Sequence, residues 1–304
     1  MSGRRAARIA LAGGLAAFAW HTAGHAAAYC LTSACGEEAA GSQCSPSHEG
    51  DCGEPLRWRN RCTGFSMQEA GSRRVSANTT NDLLAAAFET WMKADCGEGR
   101  RPGIIIQDMG RVACTDLEYN SDRGNANIVV YREKRWPHES SGHNVALTTT
   151  TFDPVTGELF DADIELNAAN FEFSTDDEDA SYDLESVLVH EAGHFLGLGH
   201  SDAIEATMFS VYAEGDTSLR VLDPDDVAAI CDLYPPNDQL EDSCNPLPSH
   251  GFSPDCADLQ LEGDCSVGPR ASHSWSPVPL LFGPVIAWLT TRRRSRRRGR
   301  VSGA

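Results

Sequence analysis

Five positions near the middle of the chain carry the chemistry most readily read from it: His190, Glu191, His194, Gly197 and His200. On a helix, residues four apart lie on one face, a turn apart, so His190 and His194 can aim two imidazoles at one ion with Glu191 beside them. Gly197 falls where such a helix must stop, since glycine accepts the left-handed conformation that reverses a chain. The reversal would bring His200 round as a third ligand. Three protein ligands leave a fourth position for water, which is the arrangement of a catalytic zinc site rather than a closed structural one. Zinc in such a site lowers the pKa of its water to about 7 and polarises a carbonyl. Glu191 would then take the water's proton and deliver it to a leaving amine, with no covalent intermediate. Two histidines and a glutamate alone would be weak evidence. Five fixed positions are matched by chance in a chain of this length on the order of one time in ten thousand.

The elements that must position these residues can be read on either side. Leu84, Phe88, Trp91 and Met92 share one helical face, with residues 78–81 as capping candidates and Gly97 closing the segment. Strand-like runs follow at 104–106, 128–131, 145–152 and 163–166, the third ended by a turn through Asp153, Pro154 and Gly157. A helix from about Tyr182 carries the histidines, and Pro224 suits the first position of a final helix. Residues 56–234 therefore read as an α/β sandwich with a mixed sheet. Residues 29–71 read as a cysteine-rich lead-in with little regular structure.

At the histidines and around them the sequence resembles the metzincin clan, and within it the matrixin family. Ser201 follows the last histidine, Met208 falls where that family has its Met-turn, and Tyr212 is placed like its following tyrosine. Asp225 and Asp226 match the aspartate pair that ties the C-terminal helix to the Met-turn region, and Asp183, Leu184 and Glu185 fit the lead into the zinc helix. The resemblance implies an α+β fold in which a mixed twisted sheet packs on helices, with the zinc cleft between an upper and a lower subdomain. It implies a zinc metalloendopeptidase with His190, His194 and His200 on one zinc and Glu191 as general base. Tyr212 would assist the oxyanion, and Gly197, Met208, Asp225 and Asp226 would support the site. Residues 145–151 would be the edge strand on which a protein or peptide substrate binds as an added strand. The alternative is a surface-tethered peptide-binding module without turnover. A zinc hydrolase of non-peptide bonds is a third reading.

The sequence also departs from that family. The pro-segment motif that places a cysteine on zinc is not found. His138 and His143 lie in the region of a second, structural zinc, although incidental histidines explain them more simply. Asp176, Asp177, Glu178 and Asp179 could hold Ca2+, or form an acidic surface loop.

The two ends suggest export. Arg4, Arg5 and Arg8, an apolar stretch over 9–20, and Ala26, Ala27 and Ala28 make the three parts of a secretory signal ending at residue 28. Eleven cysteines fit an oxidising compartment, with Cys244 and Cys256 candidates to close a small loop. At the other end, Cys265, an apolar segment over 275–291 and an arginine run from Arg292 resemble the sorting tails of myxobacterial surface proteins. That tail could attach the chain to a membrane or cell surface. The expected organisation is a signal (1–28), a lead-in (29–71), a catalytic domain (72–236), a linker (237–274) and an anchor tail (275–304). Of 25 basic residues, ten lie at the arginine-rich ends, leaving 15 against 44 acidic ones and a body charge of -29. Such a body repels nucleic acid and stays soluble. A monomer acting on protein substrates is expected.

Overall fold

The computed structural model describes residues 29–34, 53–138, 142–176, 181–237 and 244–255, and the backbone of 299–303. In chain order the elements are β1 (Cys62–Gln68), α1 (Ala77–Met92), β2 (Ile105–Val112), β3 (Ile128–Tyr131), β4 (Ala146–Phe152), β5 (Leu159–Leu166), the short β6 (Phe173–Ser174) and β7 (Tyr182–Asp183), α2 (Leu184–Leu196), α3 (Pro224–Leu233) and β8 (Gly299–Gly303). The main sheet runs β2-β1-β3-β5-β4-β8. Its first four strands pair in parallel, and β4 and β8 add antiparallel pairings. The fold is thus a mixed α/β architecture, with α1 on β1 and β2, and α2 on α1, β4 and β5.

The sheet is buried on both faces. In β3, Val129 and Tyr131 join the main core beneath the helices, while Ile128 and Val130 join a second cluster that Phe252 and Leu117 help to cover. Such two-sided burial explains an unbroken apolar run rather than an alternating one. The same burial hides β1 from sequence reading. All seven of its residues are buried, yet Thr63, Gly64, Ser66 and Gln68 interrupt the apolar pattern. It lies inside the span expected to lack regular structure, and it is a central strand.

The structure corrects other expectations. α1 starts at Ala77, capped by Ser76, whose hydroxyl accepts from the Thr79 amide at 3.1 Å. Residues 78–81 therefore lie inside the helix rather than before it. Cys244 pairs with Cys62 instead of closing a loop with Cys256, and Cys96 pairs with Cys231. Cys30 and Cys114 are also disulfide-bonded. The Cys62–Cys244 and Cys96–Cys231 bridges span 182 and 135 residues. Closing loops of that size stabilises by about 5 kcal/mol each in the chain-entropy account.

Several expectations fall on residues outside those described: the signal over 1–28, Cys265, the apolar segment 275–291, and Asp177, Glu178 and Asp179. Among the described residues no helix is long and apolar enough to cross a membrane. Residues 299–303, at the end of the arginine-rich tail, form β8. Their backbone lies on the outer edge of β4, with Gly303 opposite Thr148 and Gly299 opposite Phe152.

Candidate metal centre and active site

α2 is an interior helix. Every residue from Leu184 to Leu196 is buried except Glu185. Asp183 caps its N-terminus, accepting from the Ser186 amide at 2.8 Å. Arg220 clasps the same carboxylate with two donors at 2.8 and 2.6 Å. Inside the helix, Trp91 of α1 donates its indole N–H to the Val189 carbonyl at 2.7 Å.

The far end of α2 is built to turn. Its last carbonyls lack partners within the helix, and side chains from distant segments supply them. Trp58 Nε1 donates to the Phe195 carbonyl at 2.9 Å, and the Tyr234 hydroxyl to that of Leu196 at 2.7 Å. Gly197 adopts φ 102°, and a Cβ there would lie 2.1 Å from the Leu56 carbonyl oxygen. The reversed chain is then held by the lead-in: Gly199 donates to the Cys30 carbonyl, and Thr32 to that of Gly197.

This turn brings the three histidines together. Nε2 of His194 lies 3.1 Å from Nε2 of His190 and 3.2 Å from Nε2 of His200. Tetrahedral ligands about 2.05 Å from a zinc ion stand about 3.3 Å apart, so the spacing suits such an ion. The other ring nitrogens agree. Nδ1 of His190 faces the Thr207 carbonyl at 2.7 Å, and Nδ1 of His194 faces that of Leu198 at 2.9 Å. A carbonyl only accepts, so each Nδ1 carries the proton and each Nε2 keeps its lone pair for a metal. Burial pushes the His190 pKa down to about 3, with His200 adding to the effect. Burial also holds His194 well below, and His200 below, the usual histidine value. All three rings are therefore neutral, the ligand form. Among the described residues this is the one cluster of three or more potential His, Cys, Asp or Glu ligands.

Glu191 is 1% exposed. Its Oε1 accepts from the Tyr212 hydroxyl at 3.1 Å, and its Oε2 from Thr148 on β4 at 2.5 Å. Burial pushes its pKa up to about 7, the two hydroxyl bonds partly opposing. Tyr212 also packs its ring on His190, with centroids 5.0 Å apart, so it links the carboxylate to the imidazole cluster. Met208 is buried, with its sulfur where a Cβ on Gly193 would stand, 2.3 Å away. Asp226 accepts from the Thr207 and Met208 amides at 2.7 and 3.0 Å, and Asp225 from the Ser201 hydroxyl at 2.6 Å.

A cleft of about 190 Å³ opens beside this centre, lined by His143, Asn144, Val145, Ala146, Tyr182, Ser210, Val211 and Tyr212. His143 thus faces the cleft, and His138 is engaged elsewhere: its Nε2 meets the buried carboxylate of Glu165 at 2.5 Å, which Arg132 also binds. Among the described residues, neither belongs to a cluster of three or more potential ligands. Sequence reasoning missed Thr148 and the carbonyl of Thr207. Thr148 is the first of four consecutive threonines, and nothing in that run distinguishes it.

The sequence profile of the matrixin family matches residues 57–235. The chain belongs to the matrixin family. Among curated matrixin relatives, human matrix metalloproteinase-19 is 41% identical over 97 residues, 31% of this chain and 19% of that protein. Mouse matrix metalloproteinase-25 is 27% identical over 186 residues, 58% of this chain and 27% of that protein. The Arabidopsis thaliana metalloendoproteinase 5-MMP is 52% identical over 52 residues, 17% of this chain and 14% of that protein. The chain thus spans between 14% and 27% of the length of these relatives.

Proposed function

We propose that this matrixin is an exported zinc-dependent endopeptidase. The observation that carries the reading is the convergence of the His190, His194 and His200 rings beside a buried carboxylate, under the strand β4. His190, His194 and His200 would hold one zinc. Bound there, zinc would supply a Lewis acid and a water acidified to a pKa of about 7. Glu191 would accept a proton from the attacking water on one carboxylate oxygen and pass it to the departing amine. The Tyr212 hydroxyl, beside that carboxylate, would donate to the oxyanion. Gly197 would keep His200 in place, Met208 would floor the site, and Asp225 and Asp226 would brace it from α3.

The substrate would lie extended along the outer edge of β4. An unpaired edge recruits an extended chain through its backbone amides and carbonyls. The pairing of Gly299–Gly303 with β4 supports this mode, since a segment of this chain already lies there as an antiparallel strand. The arginine-rich N-terminal segment and the sorting-type tail support secretion, with attachment at the cell surface.

Metal analysis paired with cleavage of casein or gelatin tests the proposal. About one zinc per chain is expected, with activity lost to a chelator and restored by zinc. Glu191→Ala should lower kcat by about 10²–10⁴-fold while retaining the metal. Full zinc content with no cleavage of any protein would favour a peptide-binding module instead.

A further inference from the structure

Thr148 stands out because its position is set by the sheet while its hydroxyl serves the helix beneath. Its backbone pairs with Ile164 on one side and Gly303 on the other. The residue is 1% exposed, and its hydroxyl reaches Glu191 twice: the Oε2 atom at 2.5 Å and the main-chain carbonyl at 3.3 Å. A threonine Cβ leaves few χ1 choices, and strand pairing removes backbone freedom, so the hydroxyl is aimed before any substrate arrives. A glutamate has three side-chain torsions, and a base that must meet a water within hydrogen-bond reach cannot wander among them.

The two oxygens of Glu191 are held differently. Tyr212, on Oε1, comes from the chain after Met208, whereas Thr148, on Oε2, comes from the sheet. Each carboxylate oxygen offers about two acceptor sites, so one hydroxyl on each still leaves room for a water. Neither Ser nor Thr is required at this point for β4 to form: the neighbours Ala146, Leu147 and Phe152 show that apolar residues fill the same strand.

Resting on the endopeptidase reading above, we infer that Thr148 is a positioning residue for Glu191, fixing Oε2 so that the carboxylate faces the attacking water. The hydroxyl matters and the methyl does not. Thr148→Val keeps the shape and removes the donor, whereas Thr148→Ser keeps the donor and removes the methyl.

The test uses the full zinc-loaded chain. Thr148→Val is expected to lower kcat at least tenfold on casein-derived peptides with KM within about twofold, and Thr148→Ser to restore kcat to within about threefold of wild type. A double-mutant cycle by urea unfolding, with Thr148→Val, Glu191→Ala and both together, should show the folding constant departing from additivity by fivefold or more. Wild-type kcat in Thr148→Val would overturn the inference, as would equal impairment of the Val and Ser variants, which marks a packing role. Should the wild-type chain cleave nothing, the endopeptidase reading fails and the cycle alone decides: additive losses sink the Thr148–Glu191 pairing, and coupled losses sustain it.

Discussion

Asp226 offers the sharpest test of whether α3 braces the histidine cluster. Its carboxylate is buried and accepts three backbone amides: Thr207 at 2.7 Å, Met208 at 3.0 Å and Asp223 at 2.9 Å. In Asp226→Ala, the two donors on the Met208 turn would be stranded in the interior. Each buried unsatisfied donor costs about 1–3 kcal/mol, so the loss should reach about 3 kcal/mol. For a domain of this size that is a fall in Tm of roughly 6–12 °C. Asp226→Asn keeps one acceptor oxygen and turns an amide toward a backbone donor, so it should lose about half as much. The damage should also reach the ion, because the Thr207 carbonyl orients His190 through Nδ1. Loss of such an outer partner typically weakens metal binding 10- to 100-fold. Calorimetric unfolding and competition with a zinc-sensitive dye measure both effects. A change under about 0.5 kcal/mol in Asp226→Ala, with zinc affinity intact, would refute the idea that these bonds brace the site.

Three further outcomes are expected. Gly197→Ala forces a Cβ into the Leu56 carbonyl at a φ of 102°; it should cost at least about 2 kcal/mol and release zinc, and a variant with normal metal content would contradict this. Burial alone would raise the Asp183 pKa, but the bonds from Arg220 and Ser186 more than offset it and hold the group below its usual 3.8. Its ionised form therefore stabilises the fold above that pH, and the contribution fades as pH falls further. Arg220→Met should cost about 1–3 kcal/mol near neutrality, with the gap in urea midpoints narrowing below pH 3.8; a gap constant to lower pH would rule out the ion pair as its source. Deleting residues 299–304 should lower KM for a protein substrate severalfold, because β8 takes the same edge of β4; an unchanged KM would show that the edges are not shared.

The histidine cluster was legible because its geometry is local. One helical turn sets His190 against His194, and one glycine returns His200. α3 was legible for a similar reason, since Pro224 sits at the first position of a capped helix. What escaped depends on chain segments far apart. β1 is buried on both faces, yet Thr63, Gly64, Ser66 and Gln68 break the apolar run such a strand usually shows. Cys62 finds Cys244 across 182 residues, a pairing that no spacing rule favours over a nearby cysteine. Thr148 acquires its meaning only from the side chain beneath it. Ser76 makes the cap with its own hydroxyl, although a richer cluster of capping residues follows just after it.

The partners of the Phe195 and Leu196 carbonyls have a consequence for biosynthesis. Trp58 stands 137 residues before the group it satisfies, and Tyr234 stands 38 residues after its own. Until Tyr234 has left the ribosome, the Leu196 carbonyl at the turn that delivers His200 lacks its side-chain partner. A nascent or truncated chain ending short of that tyrosine should therefore hold His200 less firmly. On the endopeptidase reading, the site would thus be completed only when almost the whole domain has been synthesised.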